Sequence, residues 1–310
     1  MTRVLITGGT GMVGRNLLAH PAAGTYQCIA PPRSELNLAH AEPCYAYLRE
    51  TRPDLIIHAA GRVGGIQANM ADPAGFLSEN LTSGLTLVMA ARRADIPALL
   101  NLGSSCMYPR NAPNPLTEDS LLSGPLEPTN EGYALAKIAI ARLCAYISAQ
   151  DGLAYRTVIP CNIFGLHDSF DPERSHLIPG ILHKTHRART HNESRIEVWG
   201  DGQARREFMY SADLADGIWH LARRIEDMPP MMNLGVGADH TVLAYYRAVA
   251  DVIGWQGTYV FNRDRPEGMA QKLVSTAWQS RLGWTPGTPL REALALTYAH
   301  YCTRTDLCVS

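Results

Sequence analysis

The chain has 310 residues, with 28 lysines and arginines against 29 aspartates and glutamates and a formal net charge of −1 at pH 7. Hydrophobic residues make up 46% of the chain, enough for a substantial core without disulfides or structural metals. This composition excludes an intrinsically disordered chain. The balanced charge, without long runs of one sign, excludes a nucleic-acid-binding arm or a polybasic membrane patch. We therefore expect a small-molecule partner, no nucleic acid and no membrane.

Neither a membrane span nor a signal peptide is predicted, because no stretch approaches 18 consecutive apolar residues. The seven cysteines are scattered, and no pair has the C-x-x-C spacing of a redox or zinc site. These patterns predict reduced thiols, a cytoplasmic location and no bound metal. The cysteines are Cys28, Cys44, Cys106, Cys144, Cys161, Cys302 and Cys308.

Short apolar runs alternate with longer helical patterns in the first half of the chain, as in βαβ units around a parallel sheet. Helices are predicted from Arg15 onward, at Phe76–Ala94 and at Tyr133–Gln150, because apolar residues recur there at three- and four-residue spacing. The pattern predicts an α/β fold with a doubly wound parallel sheet. The predicted strands are Val4–Thr7, Gln27–Ala30, Leu55–Ala60, Leu99–Gly103 and Arg156–Ile159.

Beyond Ile163 the pattern becomes less regular, and prolines and glycines separate shorter elements. We expect a first domain over residues 1–165, with a returning segment near 207–225. Residues 166–206 and 226–310 are expected to form a smaller lobe that binds the substrate.

A glycine-rich segment, Gly8-Gly9-Thr10-Gly11-Met12-Val13-Gly14, directly follows the first predicted strand. Its G-x-x-G-x-x-G spacing allows a tight turn, close approach of the backbone to a pyrophosphate and close packing of helix on strand. The amino end of the next helix carries a partial positive charge that suits phosphates. The first domain is therefore predicted to bind a dinucleotide.

The residue that follows the second predicted strand bears on which dinucleotide binds. Sites for NAD(H) often carry an acidic residue here that holds the ribose 2′-hydroxyl, whereas this chain has Pro31-Pro32-Arg33 and no carboxylate before Glu35. A guanidinium suits a 2′-phosphate, so Arg33 favours NADPH/NADP as the cofactor.

Tyr133 and Lys137 are four residues apart and so share one face of a predicted helix. A lysine beside a tyrosine stabilises the phenolate, so we expect Lys137 to lower the pKa of Tyr133 and make it an acid/base for a carbonyl oxygen. With Gly103-Ser104-Ser105 after the fourth strand and the glycine loop, this pair resembles the extended short-chain dehydrogenases/reductases, in which Ser, Tyr and Lys cooperate.

Longer strings along the whole chain resemble the GDP-L-fucose synthases. The resemblance implies an NADPH-dependent enzyme that epimerises GDP-4-keto-6-deoxy-D-mannose at C3 and C5 and then reduces the C4 ketone to give GDP-L-fucose. The strings are Val63–Ile66, Leu102–Pro109, Leu126–Lys137, Ser175–Pro179, Val198–Gly200, Asn233–Gly237 and Leu282–Trp284.

The resemblance also implies roles for individual residues. Ser104 and Tyr133 would hold the C4 oxygen, Lys137 would assist Tyr133, and Cys106 and His176 would form the acid/base pair of epimerisation. A 4-keto group acidifies the protons on C3 and C5, and inversion needs one group to remove a proton and another to supply one to the opposite face. A thiol and an imidazole have suitable pKa values.

The positions that the resemblance implies for cofactor binding are Gly8, Gly9, Thr10, Gly11, Met12, Val13, Gly14, Arg33, Leu36, Asn37, Leu38, Ala59, Ala60, Leu102, Gly103, Lys137, Pro160, Asn162, Ile163 and His176. Those implied for binding the GDP-linked 4-keto-6-deoxy sugar are Ser105, Asn162, Lys184, Trp199, Arg206 and Glu267. Four positions depart from the common pattern: Lys184 stands where arginine is usual, Glu267 where aspartate is usual, Thr10 where some members have arginine, and Gly132 where proline is frequent.

Two alternatives stay open. A sibling enzyme would act on another GDP-4-keto sugar, a 6-deoxy-heptose or a 3,6-dideoxy-hexose, or perform only part of the sequence of steps. A non-catalytic dinucleotide-sensing protein would be expected to lose the acid/base residues, all of which are present here. The resemblance further implies a homodimer, in which Phe76–Ala94 and Tyr133–Gln150 of two copies form a four-helix bundle.

Overall fold

The computed structural model describes residues 1–171, 175–265 and 268–304, so Glu267 and Cys308 lie outside the described residues. Within these ranges the α-helices are α1 Met12–Ala19, α2 Ala41–Thr51, α3 Ile66–Ala71, α4 Pro73–Arg93, α5 Glu131–Asp151, α6 Leu177–Thr190, α7 Ser211–Ala222, α8 Val242–Ile253, α9 Ala277–Arg281 and α10 Leu290–Cys302. The strands there are β1 Arg3–Thr7, β2 Gln27–Ile29, β3 Leu55–His58, β4 Ala98–Leu102, β5 Ala154–Pro160, β6 Asn162–Phe164, β7 Arg195–Trp199, β8 Arg205–Arg206, β9 Phe208–Tyr210, β10 Met231–Leu234, β11 His240–Thr241, β12 Thr258–Asn262 and β13 Gln271–Lys272.

A parallel sheet with strand order β10-β5-β4-β3-β1-β2 forms the centre of the first domain. Both of its faces are buried: Leu5 and Ile56 belong to one core cluster, and Val4 and Ile57 to the cluster on the other face. The chain runs from β1 to β2 on one side and then to β3 on the other. The carboxyl ends of β1 and β3 therefore border the crevice where open α/β sheets bind ligands. The predicted doubly wound fold is confirmed.

Helices cover the two faces of this sheet. α2, α4 and α5 contribute to the cluster that contains Leu5, and α7 packs with α1 on the opposite face. Helix α4 begins at Pro73. Its N-cap residue is Asp72, whose side chain accepts a hydrogen bond from the Gly75 amide at 2.9 Å. α4 and α5 approach closely at Gly84, where a Cβ would lie 2.6 Å from the Ile140 Cγ1 atom.

The segment Pro128–Asp151, which includes α5, is long and apolar enough to cross a membrane by length and composition alone. In the fold this helix packs against α4 and β5, and Ala134, Ile138 and Ile147 are buried in the core clusters. The core helix of a soluble protein passes the same test, so we assign α5 to the packed core, with an outer face left exposed.

The smaller lobe has its own core, in which α6, α8 and α10 pack with the parallel pair β7 and β12. Large side chains such as Phe170, Tyr245 and Tyr301 are almost fully buried there. Three of the expected substrate residues lie here, Lys184 on α6, Trp199 on β7 and Arg206 on β8, and Lys272 lies on β13.

The structure corrects several expected boundaries. α1 begins at Met12 rather than Arg15, because Gly11 takes an extended conformation and acts as the N-cap residue. β10 pairs with β5 in the main sheet, so the returning segment extends beyond its expected end at 225 to include Met231–Leu234. The apolar side chains of this strand complete the buried face of the sheet, a pairing that local sequence does not show.

Candidate active site

The glycine loop forms a tight turn between β1 and α1. The Gly11 amide donates to the Gly8 carbonyl oxygen at 3.0 Å, and Gly8 has φ +75°, a conformation that side chains disfavour. A Cβ on Gly8 would lie 2.7 Å from the Ala60 amide nitrogen, and one on Gly14 would overlap the Gly8 carbonyl oxygen. Side chains are therefore excluded at these two positions, and the backbone surface at the amino end of α1 is left bare.

The amino end of α1 fits the pyrophosphate of a dinucleotide. Its N-cap residue Gly11 offers no side chain to the first amides, and the first turn carries no acidic residue. The amides of Met12, Val13 and Gly14 are thus free to donate to phosphate oxygens next to the positive end of the helix dipole. Ala59 and Ala60 follow β3 on the other side of the same crevice.

Arg33 follows β2 at the edge of this crevice. Its side chain is exposed, and it forms no ion pair with any carboxylate in the described ranges, while Glu35 instead accepts a hydrogen bond from the Tyr47 hydroxyl at 3.1 Å. A guanidinium without a carboxylate partner suits a phosphate monoester. The nearby Leu36 and Leu38 side chains are buried in the core, so these two positions can offer a ligand only their backbone.

Ser104, Tyr133 and Lys137 meet at the carboxyl end of β4. The Ser104 hydroxyl oxygen accepts from the Cys106 amide at 3.2 Å and is hydrogen-bonded to the Tyr133 phenol. The Lys137 Nζ atom donates to the Leu102 carbonyl oxygen at 2.9 Å and lies 5.8 Å from the centre of the Tyr133 ring. Burial lowers the pKa of Lys137 to about 8.

The expected lowering of the Tyr133 pKa by Lys137 is not observed. Burial and then the neighbouring Cys106 raise the pKa of Tyr133, and only its hydrogen bond with Ser104 opposes them. The physical reason is burial, because a phenolate enclosed by the fold loses its hydration, and the hydrogen bond with Ser104 does not make up for that loss. The phenol therefore keeps its proton at neutral pH, which is the form that can donate a proton to a carbonyl oxygen.

The thiol of Cys106 lies beside this group and accepts two hydrogen bonds. The Asn130 Nδ2 atom is 3.2 Å and the Lys272 Nζ atom 3.5 Å from the Cys106 Sγ atom. His176 precedes α6, and part of its surface is exposed to solvent. Desolvation of its imidazole by the protein atoms around it, and then the charge of Lys272, lower the pKa of His176, so its neutral form predominates at pH 7.

A cationic group lies farther along the smaller lobe. The Lys184 Nζ and the Arg265 guanidinium carbon lie 5.2 Å and 5.1 Å from the centre of the Trp199 ring. Neither cation is paired with a carboxylate among the described residues, so the group can bind an anion such as a diphosphate. Arg206 borders Gly268, where a Cβ would lie 3.4 Å from the Arg206 Nη2 atom.

The remaining expected residues lie at the carboxyl edge of the main sheet or beside it. Pro160 ends β5, Asn162 and Ile163 belong to β6, and the Asn162 Nδ2 atom donates to the Glu207 carbonyl oxygen at 2.8 Å. Ser105 is only 2% exposed, so its hydroxyl is less accessible than that of Ser104.

The glycine at 132 has a structural explanation. A Cβ there would lie 2.6 Å from the Pro73 carbonyl oxygen at the start of α4. Gly132 therefore permits the close approach of α5 to α4.

Sequence reasoning missed Asn130, Arg265 and Lys272. Lys272 is 166 positions from Cys106 along the chain and reaches it because β13 pairs in register with β8. The sequence carries only one faint signal for it: the chain has just three lysines, Lys137, Lys184 and Lys272. Within the described ranges, no group of three or more His, Cys, Asp or Glu side chains could hold a metal ion.

A parallel sheet with a glycine loop at its switch point, and a Ser, Tyr and Lys group at the end of β4, define a short-chain dehydrogenase/reductase that uses a nicotinamide dinucleotide. The chain belongs to the NAD dependent epimerase/dehydratase family, whose sequence profile matches residues 4–235.

Relatives and solved structures that resemble the chain cover nearly its whole length. It is 46% identical to a GDP-L-fucose synthase of Azorhizobium caulinodans over 305 residues, which cover 98% of each chain. It is 45% identical to a GDP-L-colitose synthase of Yersinia pseudotuberculosis over 300 residues, 96% of this chain and 97% of the relative. A GDP-mannoheptose C4 reductase from Campylobacter jejuni with NADP bound superposes with a TM-score of 0.87 at 27% identity, over 97% of this chain and 98% of that one.

Proposed function

We propose that the chain is an NADPH-dependent enzyme that epimerises GDP-4-keto-6-deoxy-D-mannose at C3 and C5 and reduces the C4 ketone, forming GDP-L-fucose. The observation that carries the proposal is the position of the Cys106 thiol, which lies against the Ser104, Tyr133 and Lys137 group of a reductase. A reductase alone needs no second acid/base beside its tyrosine. The similarity to a GDP-L-fucose synthase over nearly the whole chain supports the same reaction.

Epimerisation would start with the C4 oxygen of the substrate held by the Ser104 hydroxyl and the Tyr133 phenol. Cys106 removes the proton from C3 or C5, and the electrons of the C–H bond form an enolate whose charge resides on the C4 oxygen. His176 supplies a proton to the opposite face of the same carbon. Its lowered pKa makes the protonated imidazole a stronger acid than an ordinary imidazolium, although this is the minor form at pH 7.

Reduction would follow at the same oxygen. NADPH, when bound, supplies a hydride to C4. Tyr133 donates its proton to the resulting alkoxide, and its raised pKa keeps that proton in place beforehand. The Lys137 ammonium stays fixed on the Leu102 carbonyl and supplies positive charge close to the phenol as negative charge develops there.

For the cofactor, the proposal selects NADPH over NADH because the exposed Arg33 guanidinium suits a 2′-phosphate. For the nucleotide sugar, it assigns Lys184, Arg206 and Trp199 to the GDP end of the substrate. The free thiols of Cys28, Cys44, Cys106, Cys144, Cys161 and Cys302 support our proposal of a cytoplasmic, reducing location.

A second candidate is a sibling that acts on another GDP-4-keto sugar. The 45% identity to a GDP-L-colitose synthase nearly equals the identity to the GDP-L-fucose synthase. If that sugar is a 3,6-dideoxy-hexose, its C3 carries two hydrogens and is not a stereocentre, so the enzyme needs to invert C5 alone. The two candidates therefore differ in the carbons at which protons exchange.

Deuterium exchange tests the proposal. Without NADPH, the protein in D₂O should introduce deuterium at both C3 and C5 of GDP-4-keto-6-deoxy-D-mannose, as followed by NMR. Cys106→Ser should suppress this exchange strongly, because a hydroxyl has a much higher pKa than a thiol, whereas the exposed-cysteine control Cys302→Ser should not. With NADPH added, His176→Asn should leave any reduced product with its starting configuration at one or both carbons.

Tyr133→Phe tests the reduction step, because it removes the proton donor and should therefore lose reduction while it retains nucleotide binding. Exchange at C5 alone would favour the sibling enzyme. Reduction of the ketone without deuterium at either carbon would show a 4-reductase and contradict the epimerase assignment. Neither exchange nor reduction with any GDP-4-keto sugar tested would favour the non-catalytic alternative.

A further inference from the structure

The sulfur of Cys106 is contacted by hydrogen-bond donors from two different parts of the chain. Asn130 precedes α5, and Lys272 belongs to β13. Their nitrogen atoms lie 3.2 Å and 3.5 Å from the Sγ atom. Donors and a nearby cation both stabilise a thiolate over a thiol.

The positive charge of Lys272 is not neutralised by a neighbour in the described ranges, since no carboxylate there forms an ion pair with it. The buried carboxyl group of Glu207, next to β8, accepts instead from the backbone amides of Val236, Gly237 and Val274, at 2.6, 2.7 and 2.9 Å. The Glu207 side chain thus fixes the backbone that carries Lys272 and leaves the ammonium free to act on Cys106.

Lys272 is also held rigidly. It is only 7% exposed, and its β13 strand pairs with β8, where the Glu207 amide donates to the Lys272 carbonyl oxygen at 3.2 Å. A buried ammonium in a fixed position interacts with a nearby anion more strongly than a mobile surface lysine does, because water and salt screen it less.

We propose that Lys272 is a positioning residue that holds Cys106 as a thiolate and thereby makes it the base of epimerisation. This inference rests on the proposed function only for its catalytic consequence, since the contact between the Lys272 ammonium and the Cys106 sulfur is present without substrate. When the thiolate takes a proton from carbon it becomes a neutral thiol. The negative charge moves to the C4 oxygen of the enolate, where Ser104 and Tyr133 hold it.

The other groups that face this pair do not cancel it. Tyr133 is uncharged at neutral pH, because burial and then Cys106 raise its pKa. Asn130 and Ser104 carry no charge. His176 on α6 is affected by Lys272 in the opposite sense, since the same ammonium lowers its pKa. Lys272 therefore favours the deprotonated form of both members of the acid/base pair.

The experiment measures the protonation of Cys106 directly. The NADP-bound protein is alkylated with iodoacetamide between pH 5 and pH 10, and the rate at each cysteine is read from its peptide by mass spectrometry. Because the thiolate is the form that reacts, the pH at which the rate at Cys106 reaches half its maximum gives the midpoint of its deprotonation. Lys272→Met should raise that midpoint by about 1 pH unit or more, and Lys272→Arg should restore most of the difference.

Cys302 is the internal control, because it is exposed and belongs to α10 in the smaller lobe. Its profile should be the same in all three proteins, and unchanged thermal unfolding and NADP affinity would show that each variant is folded. If Lys272→Met does not fold, Lys272→Gln, which keeps a donor and removes the charge, gives the same test. A Cys106 midpoint that is equal in the wild type and in the folded charge-free variant would overturn the proposal.

The alkylation result and the deuterium exchange result can fail separately. A shifted midpoint without deuterium exchange in the wild type would support the Lys272 pair and contradict the proposed epimerase. Exchange in the wild type with no change of midpoint would support the epimerase and contradict the role of Lys272. If both hold, the pH profile of exchange by Lys272→Met should move to higher pH, while the reduction step changes less.

Discussion

The chain has only three lysines, and all its other basic residues except histidine are arginines. Each lysine lies in a different part of the candidate active site. Lys137 lies at the tyrosine, Lys272 at the thiol and Lys184 against the Trp199 ring. An ammonium is compact and its pKa responds to burial, whereas a guanidinium is planar and stays charged. Burial lowers the pKa of Lys137 and, to a degree that Glu197 opposes, of Lys184.

Arg33 should decide the choice of cofactor. Replacing it with alanine removes a charged hydrogen bond to a 2′-phosphate, worth about 1.5–3 kcal/mol, which corresponds to a loss of about 10- to 150-fold in NADPH affinity. NADH lacks that phosphate, so its affinity should change little. Fluorescence titration of both cofactors against wild type and Arg33→Ala measures the difference. Equal losses for the two cofactors would contradict the assignment of Arg33.

At the level of single residues, local sequence sufficed where the partners share one segment. Ser104 and Cys106 follow β4 within four residues, and Tyr133 and Lys137 are one helical turn apart. Lys272 could not be foreseen, because its distance from Cys106 depends on how the smaller lobe pairs β13 with β8. The predicted direction of the Tyr133 pKa shift is wrong for a similar reason, because the shift depends on burial of the phenol by the whole fold.

Among the elements, the junction of the glycine loop with α1 was predicted from the sequence in part: its function followed from the glycine spacing, but its boundary did not. The spacing of the glycines predicted a phosphate-binding turn, but not that α1 starts at Met12. That start depends on the extended conformation of Gly11, a backbone property that many sequences share. As a result Gly14 lies inside the helix, against the Gly8 carbonyl.

Gly14→Ala tests this packing. In an exposed helix the change would stabilise by about 1 kcal/mol, because glycine is a poor helix former. Here the added methyl group meets rigid backbone, so we expect a net loss of about 2 kcal/mol or more in the free energy of unfolding, with weaker NADPH binding. Urea denaturation and cofactor titration measure the two effects.

Gly24→Ala is the matched control, since no atom lies within 4 Å of a Cβ at that position. Its free energy of unfolding should stay within about 0.5 kcal/mol of the wild type or rise slightly. A stabilised Gly14→Ala protein would show that the loop and α1 are not in the close contact described.

At the scale of the whole molecule, the outer face of α4 and α5 exposes large apolar side chains. Leu85 and Met89 on α4 are 46% and 40% exposed, and Leu135 and Tyr146 on α5 are 42% and 53% exposed. Apolar side chains grouped on two adjacent helices are typical of an interface. We propose that a second copy covers them through a two-fold axis, giving a four-helix bundle, as the resemblance to the fucose synthases implies.

Leu85→Arg should therefore convert a dimer into a monomer. A two-fold interface contains each residue twice, so one substitution places two buried, like-charged guanidinium groups in the bundle, and each unpaired charge is costly to bury. Sedimentation velocity at micromolar concentrations measures the change. Leu296→Arg is the control, because Leu296 on α10 has a similar exposure of 44% but lies in the smaller lobe. The dimer proposal fails if the wild type sediments as a monomer, or if both variants remain dimeric.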